Sequence, residues 1–161
     1  MTEQALDPAA RVQHALDVAY HFLARRERTV LEVRRHLESK RMEAVTIGEA
    51  VAELERQGYL DDVRYARSFT EDRRTLDGWG AERIERRLLA TGIDATLAAA
   101  AVAQRDGEDE LEAALSILRR RYPRPPTDDR DRERALGVLV RKGYGLELAY
   151  DAVRAFEREA P

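Results

Sequence analysis

Apolar residues recur along this chain at intervals of 51, and that spacing narrows the possible folds more than any single motif. Leu37, Leu88 and Leu139 share one column; Val33, Ile84 and Ala135 share a second; Met42, Ile93 and Tyr144 a third; Ile47, Ala98 and Ala149 a fourth. The adjacent pairs Ala50-Val51, Ala101-Val102 and Ala152-Val153 fall in the same register. Chance would fill a column three times over in roughly 8% of cases at this apolar content, so agreement clustered in the latter half of each unit marks a true repeat.

Within each unit the apolar period is helical. Ile47, Ala50, Val51 and Leu54 follow the i, i+3, i+4, i+7 pattern of one buried stripe, as do Ala149, Ala152, Val153 and Phe156. These are third helices. Second helices are expected over 30–41, 81–91 and 130–142, the last two stopped by Gly92 and Gly143, and first helices over 11–25, 62–76 and 108–122. Arg41 stands where the other units have glycine, which predicts a different turn there. Thr29-x-x-Glu32 and Thr46-x-x-Glu49 read as capping boxes, Asp61 as a cap stapled by Leu60 and Tyr65, and Trp79 with Ile84 as a staple on the helix after Gly80. The expected fold is all-α: three tandem three-helix repeats, at 11–58, 59–106 and 107–161 behind a flexible tail over 1–10, stacked into an elongated, curved molecule.

Catalytic chemistry finds little to stand on. The chain has no cysteine, so disulfides, thiol nucleophiles and thiolate metal sites are excluded. Its three histidines, His14, His21 and His36, all fall in the first unit without zinc-site spacing, and no glycine-rich loop is built to cradle a phosphate. Asp61-Asp62 reads as a cap followed by a favourable first-turn acid rather than an acid/base pair. The reading is a cytoplasmic non-enzyme with no metal or cofactor, and no membrane span of about 18 apolar residues.

A net charge of −3 does not announce a nucleic-acid binder, so electrostatic function must lie in the distribution of charge. The second helices are basic and the third helices of the outer units acidic. Arg34, Arg35, Arg83, Arg86, Arg87, Arg130 and Arg134 form a row suited to an extended anionic partner. The clusters Arg25-Arg26-Arg28 and Arg119-Arg120-Arg121 extend that row or only decorate helix ends. A helix-turn-helix would read DNA with its third helix, and Glu49, Glu53 and Glu55 there would be repelled by phosphate.

The run Gly58-Tyr59-Leu60-Asp61-Asp62, then Arg64-Tyr65-Ala66, Gly78-Trp79-Gly80, Arg83-Ile84, Leu88 and Gly92-Ile93, resembles the RecX family of bacterial RecA regulators. Ala19-Tyr20 through Arg34-Arg35-His36-Leu37 resembles that family's opening unit, and Leu139 through Gly143-Tyr144 its closing one. The resemblance implies a non-enzymatic modulator that binds RecA and its filament on single-stranded DNA, lies in the filament groove, and opposes ATP hydrolysis, strand exchange and co-protease activity; a monomer is the default expectation, because the partner itself can supply the repetition. The alternative is an autonomous helical DNA-binding regulator. The family implies no particular contact set, so the arginine row above rests on charge alone; Tyr59, Trp79 and Tyr144 are expected to be chiefly structural.

Overall fold

The computed structural model describes residues 7–161, and every regular element within them is helical. In chain order these are α1 (Pro8–Leu23), α2 (Val30–Ser39), α3 (Ala44–Arg56), α4 (Asp62–Asp72), a π-helical turn (Arg73–Asp77), α5 (Ala81–Ala90), α6 (Ala95–Val102), α7 (Gly107–Arg121), α8 (Asp129–Lys142) and α9 (Leu146–Glu157). α5 and α6 start 51 residues after α2 and α3, and α9 starts 51 after α6. The helix triplet is therefore the repeating element. Of the expected tail, residues 1–6 lie outside the described residues, whereas Pro8–Ala10 form the first turn of α1, capped where Asp7 accepts from the Ala10 N–H at 2.8 Å.

The chain divides into two compact units, one reaching to Ala66 and including Ala90–Asp94, the other formed by Arg67–Leu89 and Ala95–Pro161. In the first, α1, α2 and α3 enclose Ala15, Ala19, Val33, Leu37, Ala50 and Leu54, all fully buried. The second has its core in α7, α8 and α9, around Leu118, Leu139, Tyr144, Ala149 and Phe156. Each leucine so buried contributes about 1.5–3 kcal/mol over its exposed state. Val33, Leu37, Ala50, Leu139, Tyr144 and Ala149 among these residues stand in the columns that marked the repeat.

Each second helix ends in a left-handed residue: Arg41 at φ 62°, Gly92 at 92° and Gly143 at 97°. The Met42 N–H donates to the Leu37 carbonyl at 3.4 Å, and the Tyr144 N–H to that of Leu139 at 3.1 Å, which is the same Schellman closure two repeats apart. The expected difference at Arg41 is thus not found: the turn is kept, and a side chain bears the left-handed cost. Arg41→Gly is expected to stabilise the chain by about 0.5–1 kcal/mol, the backbone relief outweighing the added freedom of the unfolded glycine. A Tm raised by a few degrees in thermal melts checks this; an unchanged or lower Tm refutes it.

The Thr29 capping box forms as expected, its hydroxyl accepting from Glu32 N–H at 3.1 Å and the Glu32 carboxylate from Thr29 N–H at 3.3 Å. The one expected at Thr46 does not. α3 begins three residues earlier, at Ala44, so Thr46 lies inside its first turn and is buried, while the N-cap is Glu43. Helix propagation from Ala44 extends the apolar stripe, and a threonine near a helix start is as able to pack as to cap.

The second helices are tied to the following triplet by a joint that occurs twice. In the first unit the Thr29 hydroxyl donates to the Thr91 carbonyl at 2.6 Å, and the Val30 N–H donates to the Asp62 carboxylate at 3.0 Å. In the second unit the Gly80 N–H donates to the Lys142 carbonyl at 2.8 Å, the Ala81 N–H to the Glu110 carboxylate at 2.8 Å, and the Glu82 N–H to the Gly143 carbonyl at 3.0 Å. Donors at one helix start, a hydroxyl in the first joint and backbone amides in the second, thus meet free carbonyls at another helix end, with an acid from the next first helix completing the set. The backbones approach so closely that a Cβ on Gly92 would stand 2.4 Å from the Leu31 Cβ, and one on Gly143 2.1 Å from the Arg83 Cβ. Only glycine fits.

Candidate binding surface

The arginines divide into those held by carboxylates and those left free. Arg64 pairs with Glu27 at 2.8 Å, Arg105 with Glu110 at 3.1 Å, and Arg119 with Glu112 at 2.7 Å and Glu159 at 2.5 Å; Arg132 bonds Glu157 and Asp129. These carboxylates hold the Arg119 and Arg132 guanidinium groups firmly protonated, hydrogen bonds being the larger cause. By contrast, Arg35, Arg86, Arg87, Arg130 and Arg134 are exposed, Arg34 is half-buried, and none of the six enters an ion pair among the described residues. Unpaired cations on a stable helix face are available to an outside anion at no cost of breaking an internal contact.

Arg83 is different. Its guanidinium lies 4.0 Å from the centre of the Trp79 ring and donates to the Arg141 carbonyl at 3.0 Å, so it serves the second joint. Trp79 accordingly packs on Arg83 and, edge to face at 6.2 Å, on Phe69, the partners its staple role did not foresee. Of the Arg119–Arg121 cluster, Arg119 is tied to its two glutamates, while Arg120 and Arg121 line a groove with Arg74 and Lys142 beside the π-helical turn.

The remaining motif residues are structural in placement. Gly58 turns at φ 80° into open space, Tyr59 is exposed with its ring 5.2 Å from that of Tyr20, and Leu60 is buried. The Asp61 carboxylate accepts from Arg64 N–H at 3.0 Å and so caps α4. Asp62 does more than sit in a first turn: it caps α2, and burial pushes its carboxyl pKa up against the opposing pull of the Val30 amide. Tyr144 is buried and its hydroxyl donates to the Gly78 carbonyl at 3.1 Å, closing the loop that follows the π-helical turn; burial, then the Glu110 charge, raises its pKa.

Sequence reasoning missed Arg74 and Glu110. Arg74 donates to the Val102 carbonyl at 2.7 Å, and burial, ahead of Arg105, lowers its pKa. Glu110, 8% exposed, divides its two oxygens between Ala81 and Arg105. Charge counting cannot separate such buried members from surface ones. No group of three metal-binding side chains comes together among the described residues, and no helix there is long and apolar enough to cross a membrane.

Triplets of short helices, joined end to end by glycine-tight contacts and carrying free cations on their second members, define a tandem three-helix repeat protein. A family model described as RecX, first three-helix domain, matches residues 15–54, and one described as RecX, second three-helix domain, matches 61–102. A regulatory protein RecX of Amycolatopsis mediterranei is 30% identical over 161 residues, spanning 99% of this chain and 92% of that protein; one of Xanthomonas campestris pv. campestris is 34% identical over 149 residues, spanning 89% and 91%. The crystal structure of RecX from Lactobacillus salivarius superposes with a TM-score of 0.82 at 20% identity, over 93% of this chain and 99% of that one, a likeness of fold. The chain belongs to the RecX family of regulatory proteins.

Proposed function

We propose that this protein binds RecA, as monomer and as filament on single-stranded DNA, lies in the filament groove, and inhibits ATP hydrolysis, strand exchange and co-protease activity, in recombinational repair and the SOS response. It works by contact rather than catalysis, as a cytoplasmic monomer and without a cofactor. Membership of a family of regulatory proteins over nearly the whole chain is the observation that carries this reading. The free arginines of α2, α5 and α8 support it, since a polymer that repeats its surface can meet a chain that repeats its modules. In this reading 11–58, 59–106 and 107–161 are successive contact modules. Arg34, Arg35, Arg86, Arg87, Arg130 and Arg134 supply the charge, and Arg83 orients α5.

The test is RecA's DNA-dependent ATPase titrated with the purified chain. Hydrolysis is expected to fall, at sub-stoichiometric amounts if the chain acts on growing filament ends and at stoichiometric amounts if it coats the filament. Undiminished hydrolysis at a large excess would sink the reading.

A further inference from the structure

All three histidines of the chain, His14, His21 and His36, line one groove of the first unit, together with Arg25, Arg28 and Lys40. Val18 and Phe22 give it an apolar wall, and Asp17, which accepts from Gln13 at 3.0 Å, is its one acid. α1 places His14, Asp17 and His21 at helical spacing along one side, with Arg25 just past its end, and α2 places His36 along the other, with Lys40 at its C-cap. Arg28 enters from the segment between them.

The chemistry inside is specific. The His36 ring stacks on Phe22, 4.0 Å between centres and 2° from parallel, and the Arg28 guanidinium also lies 4.0 Å from the Phe22 centre. Arg28 reaches Glu32 at only 3.6 Å, that carboxylate being closer to Arg26 at 2.7 Å, and its buried Nε has no hydrogen-bond partner. Neither Arg25 nor Lys40 enters an ion pair among the described residues. Fixed cations therefore outnumber acids in a groove floored by flat rings.

We propose that this groove binds a nucleotide, its phosphate among Arg25, Arg28 and Lys40 and its base against the His36 ring. A carboxylate-rich peptide would use the cations but not the stacked rings, whereas bases stack on such surfaces irrespective of sequence. Facing His36 are Lys40 and, through Arg28, Glu32 on α2, with His14, Asp17 and His21 from α1 and Arg25 just beyond its end. Burial first, then Lys40 and Arg28, lowers the His36 pKa, which a bound phosphate would reverse. The site is independent of the RecA reading, because the chain alone binds the ligand.

The measurement is NMR of the three histidine rings in the isolated chain, titrated with a deoxyadenosine trinucleotide and separately with AMP, sulfate and hexaglutamate. The trinucleotide is expected to shift all three histidine signals and to exceed sulfate and hexaglutamate at equal charge. AMP matching the trinucleotide assigns the groove to a free nucleotide, and a trinucleotide preference assigns it to a strand. Arg25→Gln with Lys40→Gln, both exposed sites, should weaken binding about tenfold, and His36→Ala should reduce the nucleotide to the level of sulfate. Unmoved histidine signals, or sulfate or hexaglutamate equal to the nucleotide, would each overturn the proposal.

Discussion

Gly143→Ala is expected to cost about 4 kcal/mol, enough to lower Tm by roughly 8–16 °C in a chain of this size. Two effects add. A side chain at φ 97° carries a left-handed backbone cost of about 1–2 kcal/mol. Its Cβ would also stand 2.1 Å from the Arg83 Cβ and 2.6 Å from the Arg83 amide nitrogen, atoms that cannot swing aside. The start of α5 must then withdraw from the end of α8, loosening the bonds from Gly80, Ala81 and Glu82, each worth about 1 kcal/mol. Gly58→Ala is the control, since φ there is 80° but nothing lies within 4 Å of the added carbon. It should cost only the backbone share, a few degrees of Tm. If the two variants melt alike, close approach is not what joins these helices.

That joint was the part of the fold least legible in the sequence, although the period that generates it was plain. Thr29 and Gly80 occupy one column, and Thr91 and Lys142 another, yet the first pair bonds through a hydroxyl and the second through an amide. A backbone donor leaves no residue signature. The completing acids, Asp62 and Glu110, sit 48 residues apart, because the first helices do not keep the register of 51. Column comparison therefore passed over them. What the columns did carry was the buried stripes of the second and third helices, where packing demands an apolar residue at each turn. Gly92 and Gly143 were visible as helix stops, but their second duty, admitting a neighbouring Cβ, depends on chain brought from 60 or more residues away.

Charge was legible in amount and not in availability. Arg83, Arg86 and Arg87 look alike on a helical wheel, but Trp79 and the Arg141 carbonyl take up only the first. Arg119 and Arg132 look no different in the sequence from Arg120 and Arg130, yet Glu159 and Glu157 claim the first two. The three histidines show the reverse case. Separately they signalled nothing, and only the packing of α1 on α2 brings them to one groove.

The division between free and claimed arginines yields the second large effect expected of this protein. Replacing Arg34, Arg35, Arg86 and Arg87 together by Gln should weaken inhibition of RecA by about 30-fold or more, each lost contact with an anionic partner being worth about 0.5–1 kcal/mol. Glutamine is preferable to glutamate because it keeps helix propensity and does not place a negative charge at the C-terminal turn of α5, where the dipole would oppose it. Helicity and Tm should stay unchanged, since none of the four enters an ion pair among the described residues. Arg119→Gln with Arg132→Gln is the matched control: it removes internal ion pairs and should alter stability slightly and inhibition little. The variant lacking the four should also lose much of the salt dependence of inhibition, as screening acts only on charges still present. Equal inhibition by both variants across salt concentrations would show that the second helices do not carry the contact, and would direct the search to the groove of Arg74, Arg120, Arg121 and Lys142 beside the π-helical turn.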